Sequence, residues 1–155
     1  YSWKPESTSY SAGIIRYEFP NTAFAKTHEL YLTAGIDAPL SPVVSLYYDF
    51  DQVDGLYGNV GISKSYPISS EESAPSLTIS AKLGISNGSF NKYYFGGRDK
   101  AAFTDGYLGA SIPFKAGIYT ITPSLAYTSI LDGSLRNAYS KPDNLFFGVT
   151  VSSPL

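Results

Sequence analysis

Tyr119-Thr120-Ile121-Thr122-Pro123-Ser124-Leu125-Ala126-Tyr127 alternates two kinds of side chain. Tyr119, Ile121, Pro123, Leu125 and Tyr127 form an apolar set with a tyrosine near each end, and Ile118, Thr120, Thr122, Ser124, Ala126 and Thr128 form a small, mostly hydroxylic one. Successive side chains of a strand point to opposite faces, so this run predicts one apolar and one polar face. A strand of a soluble sandwich can alternate in the same way, but it gains nothing from amphipathic rings at both ends of its apolar face. A strand crossing a bilayer does, because tyrosine sits well where headgroups meet hydrocarbon. Pro123 removes one ladder hydrogen bond, which predicts a bulge there.

The same reading extends outward to about eight strands near 8–19, 26–38, 42–51, 54–67, 75–87, 101–113, 117–130 and 143–153. In the fifth, Leu77, Ile79, Ala81, Leu83 and Ile85 oppose Thr78, Ser80, Lys82, Gly84 and Ser86. In the eighth, Leu145, Phe147, Val149 and Val151 oppose Phe146, Gly148, Thr150 and Ser152. Lys64 falls on the apolar side of the fourth, near its end, where a lysine can snorkel to an interface. In the first strand, placing Ile15, Tyr17 and Phe19 outside puts Arg16 and Glu18 inside and keeps charge out of lipid. No helical period competes, and no helix is expected to interrupt the series.

The totals agree. The chain has 155 residues, with 14 Tyr, 9 Phe and 14 Gly, a composition that favours strands and turns in one domain, 1–155. No run of about 18 apolar residues could form a membrane-spanning helix. A mean hydropathy of -0.07 nevertheless suits a barrel, whose strands dilute apolar residues with polar ones. A net charge of -2 without a basic stripe gives no reason to expect nucleic acid. The lack of Cys fits passage through an oxidising compartment. The lack of Met leads to the expectation that Tyr1 is a processed end or not the translation start.

Connections sort by side. Those near 20–25, 52–53, 88–100 and 131–142 fall at one end, and two of them are long. Those near 39–41, 68–74 and 114–116 fall at the other with the C-terminus, the arrangement of bacterial outer-membrane barrels apart from the length of 68–74. The expected fold is thus all-β, an antiparallel up-and-down transmembrane β-barrel, complete or part of a larger one.

The inward set then includes the pore-lining candidates Arg16, Glu18, Glu29, Tyr31, Asp49, Lys82 and Tyr107, a mixed-sign lining that could sort solutes. The competing reading is a filled cylinder, because eight strands enclose little more than side chains. Tyr66, Tyr119 and Tyr127 are the interfacial aromatic candidates, and Tyr93, Tyr94, Phe95 and Arg98 the candidates for a partner-binding loop.

Gly84-Ile85-Ser86-Asn87-Gly88 matches the G-x-S-x-G pattern of hydrolases, but no helix is expected after it and nothing brings the sole histidine, His28, to Ser86. A glycine-rich strand end is the simpler reading. Asp49, Asp51 and Asp54 with Gly55 approach a calcium loop displaced by one residue and lacking its distant Glu, so an acidic hairpin turn is expected. No catalytic residue, metal or cofactor is assigned.

Ile15-Arg16-Tyr17-Glu18-Phe19-Pro20-Asn21-Thr22, His28-Glu29-Leu30-Tyr31-Leu32, Leu40-Ser41-Pro42, Tyr47-Tyr48-Asp49-Phe50-Asp51, Asp54-Gly55-Leu56-Tyr57, Tyr93-Tyr94-Phe95-Gly96 and Ile121-Thr122-Pro123-Ser124 carry a resemblance. Together they resemble the C-terminal part of the TorF-like porin family over nearly the whole chain. The resemblance implies an outer-membrane barrel with several strands upstream, and no catalytic residues. The ending Val151-Ser152-Ser153-Pro154-Leu155 departs from the terminal aromatic common in such barrels. The expected function is passive diffusion of small hydrophilic solutes across a bacterial outer membrane. The expected partners are membrane lipids and those solutes, with a homo-oligomer or envelope assembly beside them. A structural barrel that joins an envelope assembly, and a soluble lipocalin-like cup of inverted polarity, are the alternatives.

Overall fold

Alternation decides the architecture. A computed structural model describes residues 1–3, 7–22, 25–71, 74–96 and 99–154. Its strands are β1 (Ser2–Trp3), β2 (Thr8–Tyr17), β3 (Thr27–Ile36), β4 (Val43–Asp49), β5 (Gly55–Pro67), β6 (Ser76–Ser86), β7 (Ala102–Ser111), β8 (Phe114–Ala116), β9 (Tyr119–Ile130) and β10 (Asp143–Ser152). They form one ten-stranded antiparallel sheet in the order β1-β2-β3-β4-β5-β6-β7-β9-β10, with β8 pairing β9 beside β7. The long strands thus follow the expected up-and-down order. The expected closure is absent: among the described residues β1 and β10 remain separate edges.

The two faces differ as the pleat requires. Leu30, Leu32, Val44, Leu46, Val60, Leu83, Leu108, Leu125 and Phe147 share one parity across the paired registers and are all exposed. Ile79 is 47% exposed, Leu83 39%, Ile121 37% and Leu125 51%, so these residues form no sealed centre. Among the described residues the buried apolar side chains are Val53, Ala102, Ala126 and Leu135, each lying on the polar face or in the loops beside it.

Register corrects the reading of β2. Ile15 faces Glu29 and Tyr17 faces Thr27, whereas Ile14 faces Leu30 and Arg16 faces His28. Cross-strand partners share a face, so Ile15 and Tyr17 belong to the polar face and Tyr10, Ala12, Ile14 and Arg16 to the apolar one. Keeping charge inside does not set this strand; Ile14, 67% exposed, and Tyr10 show that its apolar set is the even-numbered one.

Pro123 makes no bulge. Ser111 faces Ser124 and Phe114 faces Ile121, the same register on both sides of a short break between β7 and β8. Proline lacks the donor that would bridge the break. The bulge lies instead at β6–β7, where Leu83 faces Gly106 but Ile85 faces Phe103. Thr104 and Asp105 therefore stand against the single residue Gly84, and both reach the polar face.

Two helices interrupt the series, contrary to expectation. α1 (Gly88–Phe95) is capped by Asn87, whose side chain accepts from the Phe90 amide, and ends at Gly96 with φ 72°. α2 (Gly133–Arg136) is capped by Asp132. Both are too short to show a period, and each occupies one of the two long connections.

Gly84 is one of the tight points of this packing. A Cβ there would meet the Asp105 carboxylate and stand 2.6 Å from the Tyr57 hydroxyl. Gly84→Val should lower stability by about 1–3 kcal/mol through overpacking, and Gly133→Ala, which meets nothing within 4 Å, should change little. Denaturant midpoints of the two variants check this, and equal midpoints would contradict it.

Candidate functional site

The polar face is paved with tyrosines that lie down on glycines. The Tyr31 ring covers Gly13, with Cε1 2.8 Å from where a Cβ would be, and Tyr107 folds over Gly109 in the same way. Glycine supplies the room, and the ring restores the contact a side chain would have made. A row of rings runs across three strands into α1: Tyr31–Tyr47 at 6.4 Å, Tyr47–Tyr57 at 6.1 Å, Tyr57–Phe90 at 5.5 Å and Phe90–Tyr94 at 4.6 Å between centroids. These spacings suit offset aromatic contact.

Of the seven residues expected on this face, Glu29, Tyr31, Asp49, Lys82 and Tyr107 are there. Arg16 and Glu18 are not: Arg16 lies opposite His28 on the apolar face, and it pairs with Glu18 beyond the end of β2. The carboxylates that are present are held by neutral donors. The Tyr17 hydroxyl donates to Glu29 at 3.2 Å, and the Tyr57 hydroxyl to Asp105 at 3.2 Å. Asp49, 3% exposed, accepts from the Thr27 hydroxyl at 2.7 and 2.8 Å and from the amides of Asp51 and Val53. Asp49 thus fastens the β4–β5 hairpin and offers little to solvent. Lys82 is exposed, and its ammonium lies 4.9 Å from the Tyr107 ring centroid.

Tyr17 and Asp105 were missed as site residues. The first followed from the inverted parity of β2, and the second from the bulge, which turns an adjacent pair, Thr104 and Asp105, to one side. Only the glycine at position 84 hinted at an irregularity.

The loop end is tied together by buried polar groups. Asn91 of α1 is fully buried; its carbonyl accepts from the Ser86 hydroxyl at 2.6 Å, and its amide donates to the Lys100 carbonyl at 2.8 Å. Ser86 also bonds Thr104. The serine of the G-x-S-x-G match is thus a structural bond, and His28 sits on the opposite face, 3.0 Å from Asp51. That hydrogen bond holds the Asp51 carboxyl below its ordinary range. Asp54 bonds Tyr48, so the three aspartates of the calcium-like stretch each have separate partners.

Of the partner-loop candidates, Tyr93 and Tyr94 are exposed and Phe95 packs edge-on against Tyr139. Arg98 lies outside the described residues. Burial, reinforced by Asp49, Tyr93 and Glu29, pushes the Tyr94 phenol up. The Tyr139 hydroxyl donates to the Tyr94 carbonyl at 2.7 Å, joining the two long loops. In the second loop, hydrogen bonds from Ser134 hold the Asp132 cap below the usual carboxylate range, and the bond to Asp143 raises Arg136.

On the apolar face, Tyr66 and Tyr119 stand at the turn end, joined there by Tyr10 and Phe114, while Tyr127 stands at the loop end with Tyr48 and Phe103. Lys64, opposite Ile79, lays its ammonium 5.4 Å from the Tyr66 ring centroid. The run from Tyr119 to Tyr127 spans roughly 26 Å of strand at about 3.3 Å per residue.

Comparison with protein-family models, with curated proteins and with solved structures gives no match.

Asn91→Leu removes from α1 the acceptor of the Ser86 hydroxyl and the donor to the Lys100 carbonyl, a loss on the order of 1–3 kcal/mol. Trypsin should then cut after Lys92 or Lys100 at least several-fold faster than in the parent chain while the sheet persists. An unchanged cleavage rate would show that this bond does not anchor α1.

Proposed function

We propose that this chain forms the wall of a β-barrel in a bacterial outer membrane, with its apolar face against lipid and its polar face lining a passage for passive diffusion of small hydrophilic solutes. The observation that carries the reading is the opposite fate of the two parities. Most large apolar side chains of β2–β10 share one parity and are exposed, while the other parity is mainly tyrosines, hydroxyls and bonded carboxylates, with Ile15, Val43 and Phe146 among them. In water each exposed Leu or Phe forgoes about 1.5–3 kcal/mol of burial, and a soluble monomer rarely shows a contiguous apolar patch above about 300–600 Å². Hydrocarbon removes that cost, and aromatic residues at both ends of the apolar band fit the two headgroup layers.

A passage is favoured over a filled cylinder by how the polar face is built. Its rings lie flat over Gly13 and Gly109, and its carboxylates bond to other strands, Glu29 to adjacent β2 and Asp105 across β6 to β5. The two open sheet edges also need further strands, or a second copy, to close, and diameter grows with strand number. α1, resting on Tyr57 through Phe90, would narrow the passage at the loop end. The resemblance to the TorF-like porin family points the same way.

A second reading has the barrel joining an envelope assembly through α1. It is favoured by Tyr93 and Tyr94, which are 43% and 44% exposed at the loop end. A soluble lipocalin-like cup would need the apolar parity inside, against α1, and α1 rests on the polar parity. No reaction is proposed.

The purified chain, reconstituted in a planar bilayer, should give discrete conductance steps and remain in the membrane fraction after alkaline carbonate washing. Membrane retention without steps would favour the assembly reading. Release into buffer without detergent would defeat both.

A further inference from the structure

Resting on the diffusion reading, we infer that the passage selects small hydrophilic anions and that Lys82 is the residue that sets this preference. Lys82 lies on the polar face of β6 between Gly61 of β5 and Tyr107 of β7. Gly61 has no side chain to fill the space: a Cβ there would stand 2.9 Å from Lys82 Cγ, so the lysine stem runs across the glycine. Beside it is a trough of about 300 Å³ lined by Lys82, Ser80, Ser63, Asn59, Tyr47 and Gly61 among others. Its side chains combine one ammonium with neutral hydroxyl and amide donors, and none of the lining residues is acidic. That donor set suits an anion, which needs a positive charge and hydrogen-bond donors together.

Apart from Asp105, the acidic groups of the same face are set apart from Lys82. Among the described residues Lys82 has no ion-pair partner. The Val43–Gly61–Lys82 row lies six residues of β4 from Asp49, which is itself paired with Glu29. At about 3.3 Å per residue the two rows are roughly 20 Å apart, well beyond the Debye length of about 8 Å at physiological ionic strength. Asp37, in the turn after β3, is three strands away, or about 14 Å at roughly 4.8 Å per strand. Asp105 is the one acid close to Lys82: its carboxylate lies over Gly84, two residues or about 7 Å along β6, where the two charges interact, and it also accepts from the Tyr57 hydroxyl. Toward the turn end the same face carries a second exposed cation, Lys115, opposite Thr120. Along the strands Glu29, Asp49 and Asp105 lie toward the loops, each held by a hydroxyl, Asp37 lies in the turn after β3, and the exposed cations Lys82 and Lys115 lie from the middle toward the turns.

The test is the permeability ratio of chloride to potassium for the reconstituted chain across a tenfold potassium chloride gradient, with Lys82→Gln and Lys82→Glu beside the parent. The expected parent ratio exceeds one. Lys82→Gln should lower it at least twofold, and Lys82→Glu should bring it below one. Inorganic phosphate should reduce the parent's chloride current and leave that of Lys82→Glu unchanged. Conducting channels whose ratio and phosphate response ignore position 82 would overturn this inference alone. No channels in any of the three would overturn the diffusion reading and take the inference with it.

Discussion

The pleat of the strand is the constraint from which the rest of this structure follows. Because neighbouring side chains must leave on opposite sides, each strand can keep two incompatible surfaces, and pairing in register merges them into two continuous faces. A slip of one residue would carry Leu83 and Leu125 to the tyrosine side and Lys82 and Ser124 to the apolar one. Little packing of the usual kind fixes the register, since Ala126 is one of few buried apolar residues in the strands. Backbone ladders, rings over glycines and hydroxyl–carboxylate bonds do so instead.

The polar face shows how small residues become functional. Gly13, Gly84 and Gly109 leave hollows into which Tyr31, Tyr57 and Tyr107 settle, so that bulky side chains stay close to the sheet. Gly61 leaves a hollow that the stem of Lys82 crosses, with the trough open beside it. The bulge at Thr104 and Asp105 lets one strand give Ser86 and Tyr57 a partner each. The same serine then reaches Asn91 and fastens α1 above the tyrosine row. Loop, bulge and ring row form one connected unit at one end of the sheet.

All eight long strands were legible, each within a few residues, as alternating runs bounded by turn residues. β2 was not read correctly: its centre, Gly13-Ile14-Ile15-Arg16-Tyr17, places apolar side chains on both parities, and only pairing with β3 decides between them. Avoiding charge in lipid was the wrong arbiter, since Arg16 stands at the strand end where it meets Glu18. The helices left marks in Asn87, Gly96 and Asp132, cap residues that the hairpin reading absorbed as turn signals. The bond partners of Asp49 and Asn91 could not be read at all, because they depend on where loops return to the sheet.

The most direct measurement of the two-faced account uses the fact that the chain has no cysteine of its own. Single cysteines at Ser80, Ala81, Lys82, Leu83, Ser124 and Leu125 can carry spin labels in lipid vesicles, and collisions with oxygen and with a water-soluble nickel chelate can be compared. The account predicts that labels at Ala81, Leu83 and Leu125 meet oxygen while those at Ser80, Lys82 and Ser124 meet nickel, with a period of two. Equal exposure of both parities to nickel, or the reverse pattern, would contradict it.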